Sequence, residues 1–217
     1  MIKGVVFDLD GTLFDHHGAA LCGLRAWAPT LGPTSLAPDE VEAVWFALED
    51  RHYQGYLDGR LSHRGQRRVR MAEFSQALGL PVPDDLDEAY TGYLAAYVAA
   101  WCAYDDALPA LLAVRRAGRQ VAVLTNGDQD QQEAKLRSIG LSDVCGPVFA
   151  SSRLGVTKPD PRAFAHVAAA LDLSPGELLM VGDNLDVDVR GARDAGLRAV
   201  HVDRPTTTLA DLSQMYT

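Results

Sequence analysis

The chain has 217 residues, 47% of them hydrophobic, which suits one domain with a buried core, or a core with a small insert. Its formal net charge of −9 argues against a nucleic acid polymer or an anionic membrane as a partner, although a local site can still bind a small phosphorylated metabolite. The three cysteines are scattered and odd in number, which predicts reduced, buried thiols. We therefore expect a soluble, cytoplasmic protein with neither a signal peptide nor a membrane span.

The first residues combine a buried strand with two carboxylates. Val5 to Phe7 is an apolar run typical of a central parallel strand that is buried on both faces. Strand residues i and i+2 point the same way, so the side chains of Asp8 and Asp10 are expected to converge where this run ends. Two anions held that close raise each other's pKa unless a cation lies between them, so the pattern predicts a metal, a shared proton, or both. Oxygen ligands favour magnesium over zinc.

An all-helical block is predicted next, from about residue 19 to residue 101. Helical patterns begin at four points in or just before it: Gly18, Pro38, Ser62 and Asp85. The first strand ends at Asp8 and the next begins only near Gln120, whereas a crossover helix needs about a dozen residues. The surplus is explained if the block is an insert, which would lie over the carboxyl ends of the strands as a lid.

From Tyr104 onward, apolar strands alternate with amphipathic helices. Strands are predicted at residues 120–126, 148–151, 178–183 and 198–203. Helices are predicted at residues 107–117, 133–139, about 162–171 and 187–195, with a weak helix in the tail after Asp203. This alternation implies parallel βαβ units, so the predicted fold class is α/β, a doubly wound parallel sheet with an all-helical cap domain.

Polar side chains follow these later strands or precede the next helix. Thr125 and Asn126 end the second strand, where a hydroxyl and the following amides can bind phosphate oxygens or instead form a turn or helix cap. Lys158 precedes a helix, where it can neutralise nearby carboxylates or simply lie on the surface. Asp183 ends the fourth strand and Asp188 follows it by five residues, which places further carboxylates near the same sheet edge.

Taken in order, four stretches resemble the motifs of the haloacid dehalogenase superfamily, in its phosphatase branch with a helical cap inserted after the first motif. They are Asp8-Leu9-Asp10-Gly11-Thr12, Thr125-Asn126, Lys158-Pro159, and Gly182-Asp183 with Asp188. The resemblance covers residues 1–15 and about 104–203. It implies an α/β catalytic core at residues 1–18 and 102–217 and a helical cap at residues 19–101.

The resemblance also implies catalytic roles. The chain would be a phosphoric monoester hydrolase in which Asp8 is the nucleophile and becomes an aspartyl-phosphate. Asp10 would protonate the leaving oxygen and later activate water, so we expect its acidic neighbours to make it protonatable near neutral pH. Lys158 would be catalytic, and Thr125, Asn126 and Lys158 would bind the phosphate oxygens.

A Mg²⁺ cofactor is implied as well. Asp8, Asp183 and the backbone carbonyl of Asp10 would hold it, and Asp188 would either contact a metal-bound water or cap a helix. Asp186 is expected to face solvent. The metal would screen the anionic phosphate from the anionic nucleophile.

Three other functions remain open at this point. On the same fold, a 2-haloacid dehalogenase would displace halide, but members of that type lack an acid at the position of Asp10; a hexose phosphomutase would isomerise instead of releasing phosphate. The distant alternative is a receiver-type signalling domain.

The resemblance points to small phosphate monoesters such as nucleoside monophosphates or sugar phosphates. Arg64, Arg67 and Arg68 share one helical face of the block, which is either a solvated surface or a substrate contact.

Overall fold

A five-stranded parallel sheet organises the structure, a computed structural model that describes residues 1–204 and 206–211. The strands are β1 (Gly4–Phe7), β2 (Gln120–Thr125), β3 (Val148–Ala150), β4 (Leu178–Gly182) and β5 (Arg198–His201). Their order across the sheet is β3-β2-β1-β4-β5, and every neighbouring pair is parallel. All four residues of β1 are buried, as its apolar run indicates. The predicted α/β fold with a parallel sheet is confirmed.

The order of the strands reverses beside β1. The chain passes from β1 to β2 and β3 on one side of the sheet, and then returns to place β4 and β5 on the other side. Open α/β sheets bind ligands at the carboxyl ends of the strands where such a reversal occurs. The residues that follow β1 and β4 therefore occupy the favoured place for a site.

The chain divides into two compact units. One combines Met1–His16 with the chain from Trp101 onward, and the other is His17–Ala100. Four α-helices make up most of the second unit: α1 (His16–Trp27), α2 (Pro38–Leu57), α3 (His63–Ala77) and α4 (Leu86–Ala99). A short 3-10 helix (Ala28–Leu31) follows α1. Residues 17–100 are all described and none of them forms a strand, as predicted for this block.

Aromatic side chains fill the interior of the helical unit. The ring of Trp45 lies 5.5 Å from that of Trp27, 4.8 Å from that of Phe74 and 4.4 Å from that of Tyr93. Aromatic residues bury large apolar areas and gain further from edge-to-face contacts, so this cluster gives the unit a core of its own. One buried cation, Arg70, lies over the Trp45 ring.

The helices after this block alternate with the strands. They are α5 (Ala107–Arg116), α6 (Gln129–Ser138), α7 (Ser151–Leu154), α8 (Pro161–Leu171) and α9 (Gly191–Asp194), with a 3-10 turn (Pro175–Glu177) before β4 and a π-helical turn (Leu185–Arg190) before α9. Apolar residues of α8 pack with β1, β2 and β4 in one core, which includes Val6, Leu124, Phe164 and Met180.

Two details differ from the sequence predictions, and a third falls largely outside the described residues. Helix α6 begins at Gln129 and not near residue 133, because the Asp128 side chain accepts a hydrogen bond from the Gln131 amide and caps the helix there. The helix predicted at 187–195 opens with the π-helical turn. In the tail, residues 206–211 form turns and loops, and the rest of the segment where a weak helix is expected lies outside the described residues.

The cysteines also differ in part from expectation. Cys145 is buried, whereas Cys22 and Cys102 are exposed, so the prediction of three buried thiols is wrong for two of them. Within the part of the chain that the structure describes, no helix is both long and apolar enough to cross a membrane.

Candidate active site

Two carboxylates meet where β1 and β4 end. The two strands pair in parallel, and the Asp8 amide donates to the carbonyl of Val181 at 2.9 Å, which continues the ladder by one residue. Asp8 and Asp183 therefore leave the sheet side by side. Together with Asp188, they can place one carboxylate oxygen each within 4.8 Å of the others.

Two glycines make this close approach possible. Gly11 has φ +87°, and a Cβ at this position would overlap the carboxylate of Asp183. A Cβ on Gly182 would likewise overlap the Asp188 side chain. Glycine is thus required at both positions by space, and at Gly11 also by its backbone conformation. The Thr12 hydroxyl donates to Asp183 Oδ1 at 3.2 Å and orients this carboxylate.

The π-helical turn directs Asp188 inward. Asn184 caps this turn by accepting hydrogen bonds from the amides of Asp186 and Val187. The Asn184 amide in turn donates to Asp188 Oδ2 at 3.1 Å, and Asp188 is only 1% exposed. Asp186 is exposed and pairs with Arg190, so the expectation that it faces solvent is confirmed.

Lys158 lies between two of the carboxylates. Its Nζ donates to Asp8 Oδ1 and to Asp188 Oδ1, both at 2.5 Å. Burial acts to lower the pKa of this lysine, but Asp188 and Asp8 outweigh burial and raise the pKa above its ordinary value. The ammonium therefore stays charged at neutral pH, and Lys158 is a buried group and not a surface lysine.

Asn126 holds the backbone of this lysine. The Asn126 side-chain amide donates to the Lys158 carbonyl at 2.9 Å, and its Oδ1 accepts from the Lys158 amide at 2.8 Å. This reciprocal pair ties the end of β2 to the loop before α8. The Asn126 side chain thus positions Lys158, so phosphate binding at this residue would have to use the backbone.

The acidic cluster has an excess of negative charge. Three carboxyls, Asp8, Asp183 and Asp188, face the single ammonium of Lys158. Burial raises the pKa of Asp8 well above 3.8, with Asp188 and Asp183 adding to the rise and Lys158 opposing it. Burial and the Asp188 charge also raise the pKa of Asp183. A hard divalent cation would balance this charge and would be met by oxygen donors, so the residues present fit Mg²⁺.

Asp10 lies outside this cluster and has other partners. Its Oδ1 accepts from Lys135 Nζ at 2.5 Å, and its Oδ2 accepts from Gln132 Nε2 at 2.7 Å. Burial alone would raise the pKa of Asp10, but the Lys135 ammonium, His16 and the two hydrogen bonds together lower it. The expectation that acidic neighbours make Asp10 easier to protonate is therefore wrong, because a buried lysine and not a carboxylate lies nearest to it.

Thr125 is joined to Asp10 through the same glutamine. Gln132 Nε2 also donates to the Thr125 hydroxyl oxygen at 2.7 Å. A hydroxyl that accepts one hydrogen bond keeps its own hydrogen to donate, so Thr125 can still bind an anion. It is 1% exposed and ends β2, the strand beside β1.

Two residues of the site, Gln132 and Lys135, are absent from the sequence predictions. Both lie on α6, three residues apart and on one helical face. The sequence does contain one signal, which is the low number of lysines: three against seventeen arginines. In the structure, two of these three lysines are buried against carboxylates at this edge of the sheet. A lysine in a chain that otherwise uses arginine for surface charge is a candidate functional group.

The chain belongs to the haloacid dehalogenase-like hydrolases, because the model of that family matches residues 2–196. It is therefore an enzyme of this hydrolase family.

Individual relatives carry names for two reactions. The chain is 37% identical over 181 residues to phosphoserine phosphatase of Thermus thermophilus, in a match that covers 82% of this chain and 68% of that protein. It is 31% identical over 206 residues to (S)-2-haloacid dehalogenase of Xanthobacter autotrophicus, in a match that covers 94% and 76%. Among solved structures, the HAD-hydrolase YfnB of Bacillus subtilis bound to magnesium matches with a TM-score of 0.80 at 21% identity, over 99% of this chain and 97% of that chain, which is a likeness of fold.

Proposed function

We propose that this chain is a magnesium-dependent phosphatase that hydrolyses small phosphate monoesters through an aspartyl-phosphate on Asp8. The observation that carries the proposal is the contact of Asp8 with Lys158 beside Asp183 and Asp188, at the carboxyl ends of β1 and β4. Phosphoryl transfer needs a nucleophile among groups that offset charge on the transferring phosphoryl, and this arrangement provides both.

In the first step, an oxygen of Asp8 attacks phosphorus in line with the leaving oxygen. The bond between phosphorus and the leaving oxygen breaks as the new bond to Asp8 forms, and the departing oxygen takes a proton from Asp10. Because the pKa of Asp10 is lowered in the free chain, Asp10 has to take up this proton when the anionic substrate binds beside it. Lys158 and Thr125 stabilise the equatorial phosphoryl oxygens. These groups act mainly by position and charge.

In the second step, a water molecule attacks the aspartyl-phosphate. Asp10 takes a proton from this water as the bond from Asp8 to phosphorus breaks, which releases phosphate and restores the Asp8 carboxylate. Asp10 is suited to this exchange because its side chain is 28% exposed, whereas Asp8 is buried.

Asp8, Asp183 and Asp188 are the proposed holders of Mg²⁺, with the backbone carbonyl of Asp10 as a further oxygen donor. The Asp10 carboxylate is already taken up by Gln132 and Lys135. A bound Mg²⁺ supplies charge neutralisation between the phosphate and the carboxylates.

The helical unit His17–Ala100 is the proposed cap, because it is inserted between the Asp10 loop and β2. Nucleoside monophosphates and sugar phosphates are the proposed substrate classes, to which phosphoserine is added because a relative is named for it.

A 2-haloacid dehalogenase is the second candidate, because a relative of that name is 31% identical. The observation against it is Asp10. Expulsion of halide needs no proton donor, yet this chain keeps a carboxylate here and fixes it with two buried donors.

The test is a panel of p-nitrophenyl phosphate, a nucleoside 5′-monophosphate, a sugar phosphate and phosphoserine, each with and without Mg²⁺, and (S)-2-chloropropionate for halide release. We expect Mg²⁺-dependent release of phosphate. Asp8→Asn should lower kcat at least about 1,000-fold, since the nucleophile is lost.

Asp186→Asn is the matched control, because it makes the same change at an exposed position of the neighbouring turn and should retain full activity. Halide release without phosphate release would establish the dehalogenase. An isomerised sugar phosphate would indicate a phosphomutase, and substantial activity in the Asp8→Asn protein would exclude Asp8 as the nucleophile.

A further inference from the structure

Helix α6 presents two buried donors to Asp10. Lys135 Nζ contacts Oδ1 at 2.5 Å and Gln132 Nε2 contacts Oδ2 at 2.7 Å, so both oxygens of this carboxylate are engaged. Lys135 is 4% exposed and Gln132 is 2% exposed, whereas the Asp10 side chain is 28% exposed. The two donors thus lie behind the carboxylate on its protein side, and the steps proposed above make no use of either.

The backbone of α6 is fixed close to the sheet. Asp128 caps the helix only three residues after Thr125 ends β2. Gln132 and Lys135 follow on one face of the first two turns. A group held by a capped helix beside a strand end is placed more rigidly than one held by a loop.

Gln132 connects Asp10, the proposed proton donor, with Thr125, a proposed phosphate-binding residue. The same Nε2 donates at 2.7 Å to Asp10 and at 2.7 Å to the Thr125 hydroxyl. Both acceptors are thereby oriented by one buried amide. If Asp10 moves relative to Thr125, one of these two hydrogen bonds has to break. Gln132 therefore holds Asp10 in a fixed position relative to the phosphate oxygens that Thr125 would bind.

The buried pair of Lys135 with Asp10 is weak evidence for a purely stabilising role, since well-packed apolar residues of similar volume often replace a buried ion pair without loss. Its ammonium also lies 4.9 Å from the centre of the Phe14 ring, on the segment that carries Asp10. The lysine therefore contacts this segment at two points.

We propose that Gln132 and Lys135 are positioning residues that hold the Asp10 carboxyl in register with the phosphoryl group for both proton transfers. This inference rests on the proposed phosphatase function. It predicts a specific kinetic defect, because the two proton transfers matter to different degrees for different esters.

The test compares leaving groups in Lys135→Met. p-Nitrophenolate leaves without a proton, so formation of the aspartyl-phosphate from p-nitrophenyl phosphate should stay within about threefold of wild type. Its hydrolysis still needs Asp10 and should slow about 10- to 100-fold, which gives a burst of about one p-nitrophenol per chain. With an alkyl phosphate that the wild type hydrolyses, the first step itself should slow and no burst should appear. For p-nitrophenyl phosphate, kcat and KM should fall together, so that kcat/KM, which reports the first step, changes little, whereas kcat/KM for the alkyl phosphate should fall.

A double-mutant cycle with Asp10→Asn separates positioning from general damage. If Lys135 acts through Asp10, then Lys135→Met should have little further effect on kcat in the Asp10→Asn protein. Lys3→Met is the matched control: it removes a lysine from an ion pair with Glu177 at the other end of β1, and should leave all rates unchanged.

Gln132→Leu serves as the second variant if Lys135→Met does not fold, and it should show the same burst. Equal slowing of the first step with aryl and alkyl esters, or additive effects in the double mutant, would overturn the inference while leaving the proposed function in place. A wild-type protein that releases no phosphate from any ester would overturn both.

Discussion

Asp8 is buried beside two other carboxyls with one lysine to offset them, and its burial first, then the charges of Asp188 and Asp183, make its ionised form costly when no cation is bound. Because the pKa of Asp8 is raised in the folded chain, the folded state binds this proton more tightly than the unfolded state. The free energy of unfolding should therefore fall as the pH rises from the ordinary value of 3.8 through the raised one. A bound cation would remove this penalty.

Asp8→Asn should consequently stabilise the protein in the presence of a chelator. We expect the Tm at neutral pH to rise by about 2–4 °C, the shift that about 1 kcal/mol produces in a domain of this size. Added Mg²⁺ should raise the Tm of the wild type but have a smaller effect on the variant. Thermal unfolding with EDTA or Mg²⁺ measures this. A lower Tm for the variant in EDTA would show that the contact with Lys158 outweighs the crowding.

At the scale of the element, the turn after β1 depends on glycine. Gly11→Ala would place a Cβ into the Asp183 carboxylate and would also force alanine to adopt φ +87°. The strain alone costs about 1–2 kcal/mol, and displacement of Asp183 adds loss of function. We expect kcat to fall at least about 100-fold, together with weaker stabilisation by Mg²⁺.

Gly140→Ala is the control for the backbone strain that a positive φ imposes on alanine. Gly140 has φ +73°, and a Cβ added there would meet nothing within 4 Å, so its replacement should cost stability of the same order but not activity. Urea unfolding and steady-state kinetics on both variants separate the two effects. Equal losses of activity would mean that strain, and not the contact with Asp183, is what matters at Gly11.

Helix α3 gives partners to the arginines that the sequence places on one helical face. Arg64 and Arg68 both pair with Asp87, and the Arg67 guanidinium lies 5.4 Å from the centre of the Tyr90 ring. Two of the three arginines on this face therefore have a carboxylate partner within the helical unit. Their side chains are 70% and 49% exposed, which fits the solvated surface, although both also line an open pocket beside Asp87.

At the scale of the whole molecule, each compact unit has its own buried ion pair. In the helical unit, Arg70 is 2% exposed, contacts Glu49 at 2.6 Å, and donates to the Tyr90 hydroxyl. Removal of one partner deprives the other charge of this ion pair in a largely buried position. This pair is thus a sensitive reporter of the stability of residues 17–100.

Arg70→Met should destabilise the protein by about 3 kcal/mol, measured by urea unfolding, because Glu49 loses its cation. The matched control is Arg51→Met, which removes an exposed arginine from Glu73 and should cost less than about 1 kcal/mol. A cost for Arg70→Met as small as that of the control would show that Glu49 becomes protonated or hydrated instead.

Much of this architecture can be predicted from local sequence. The local signals are the apolar runs that end in Asp8 and Asp183 and the glycine or proline at the ends of helices. Because these signals are local, the predicted bounds of the strands and of most helices agree with the structure to within a few residues. Thr125 and Lys158 can be identified because each adjoins the end of a strand or the start of a helix.

The remaining features depend on tertiary packing. Nothing local shows that Lys135, in the middle of α6, reaches a carboxylate 125 residues away, so the charged neighbours of Asp10 cannot be predicted from the sequence around it. The π-helical turn is set by Asn184 and Asp188 together. The role of Asn126 as a clamp appears only when the Lys158 loop is folded against β2.

The scarcity of lysine has a practical consequence. Lys3 precedes β1 at its amino end and is 60% exposed, whereas Lys135 and Lys158 are shielded by burial and ion pairing. Reagents that acylate side-chain amines should therefore attach to Lys3 almost alone. The extended chain of β1 separates Lys3 from Asp8 by roughly 16 Å. An enzyme coupled to a solid support through the Lys3 amine would therefore be attached at the end of β1 that is remote from Asp8. Immobilisation would then spare turnover.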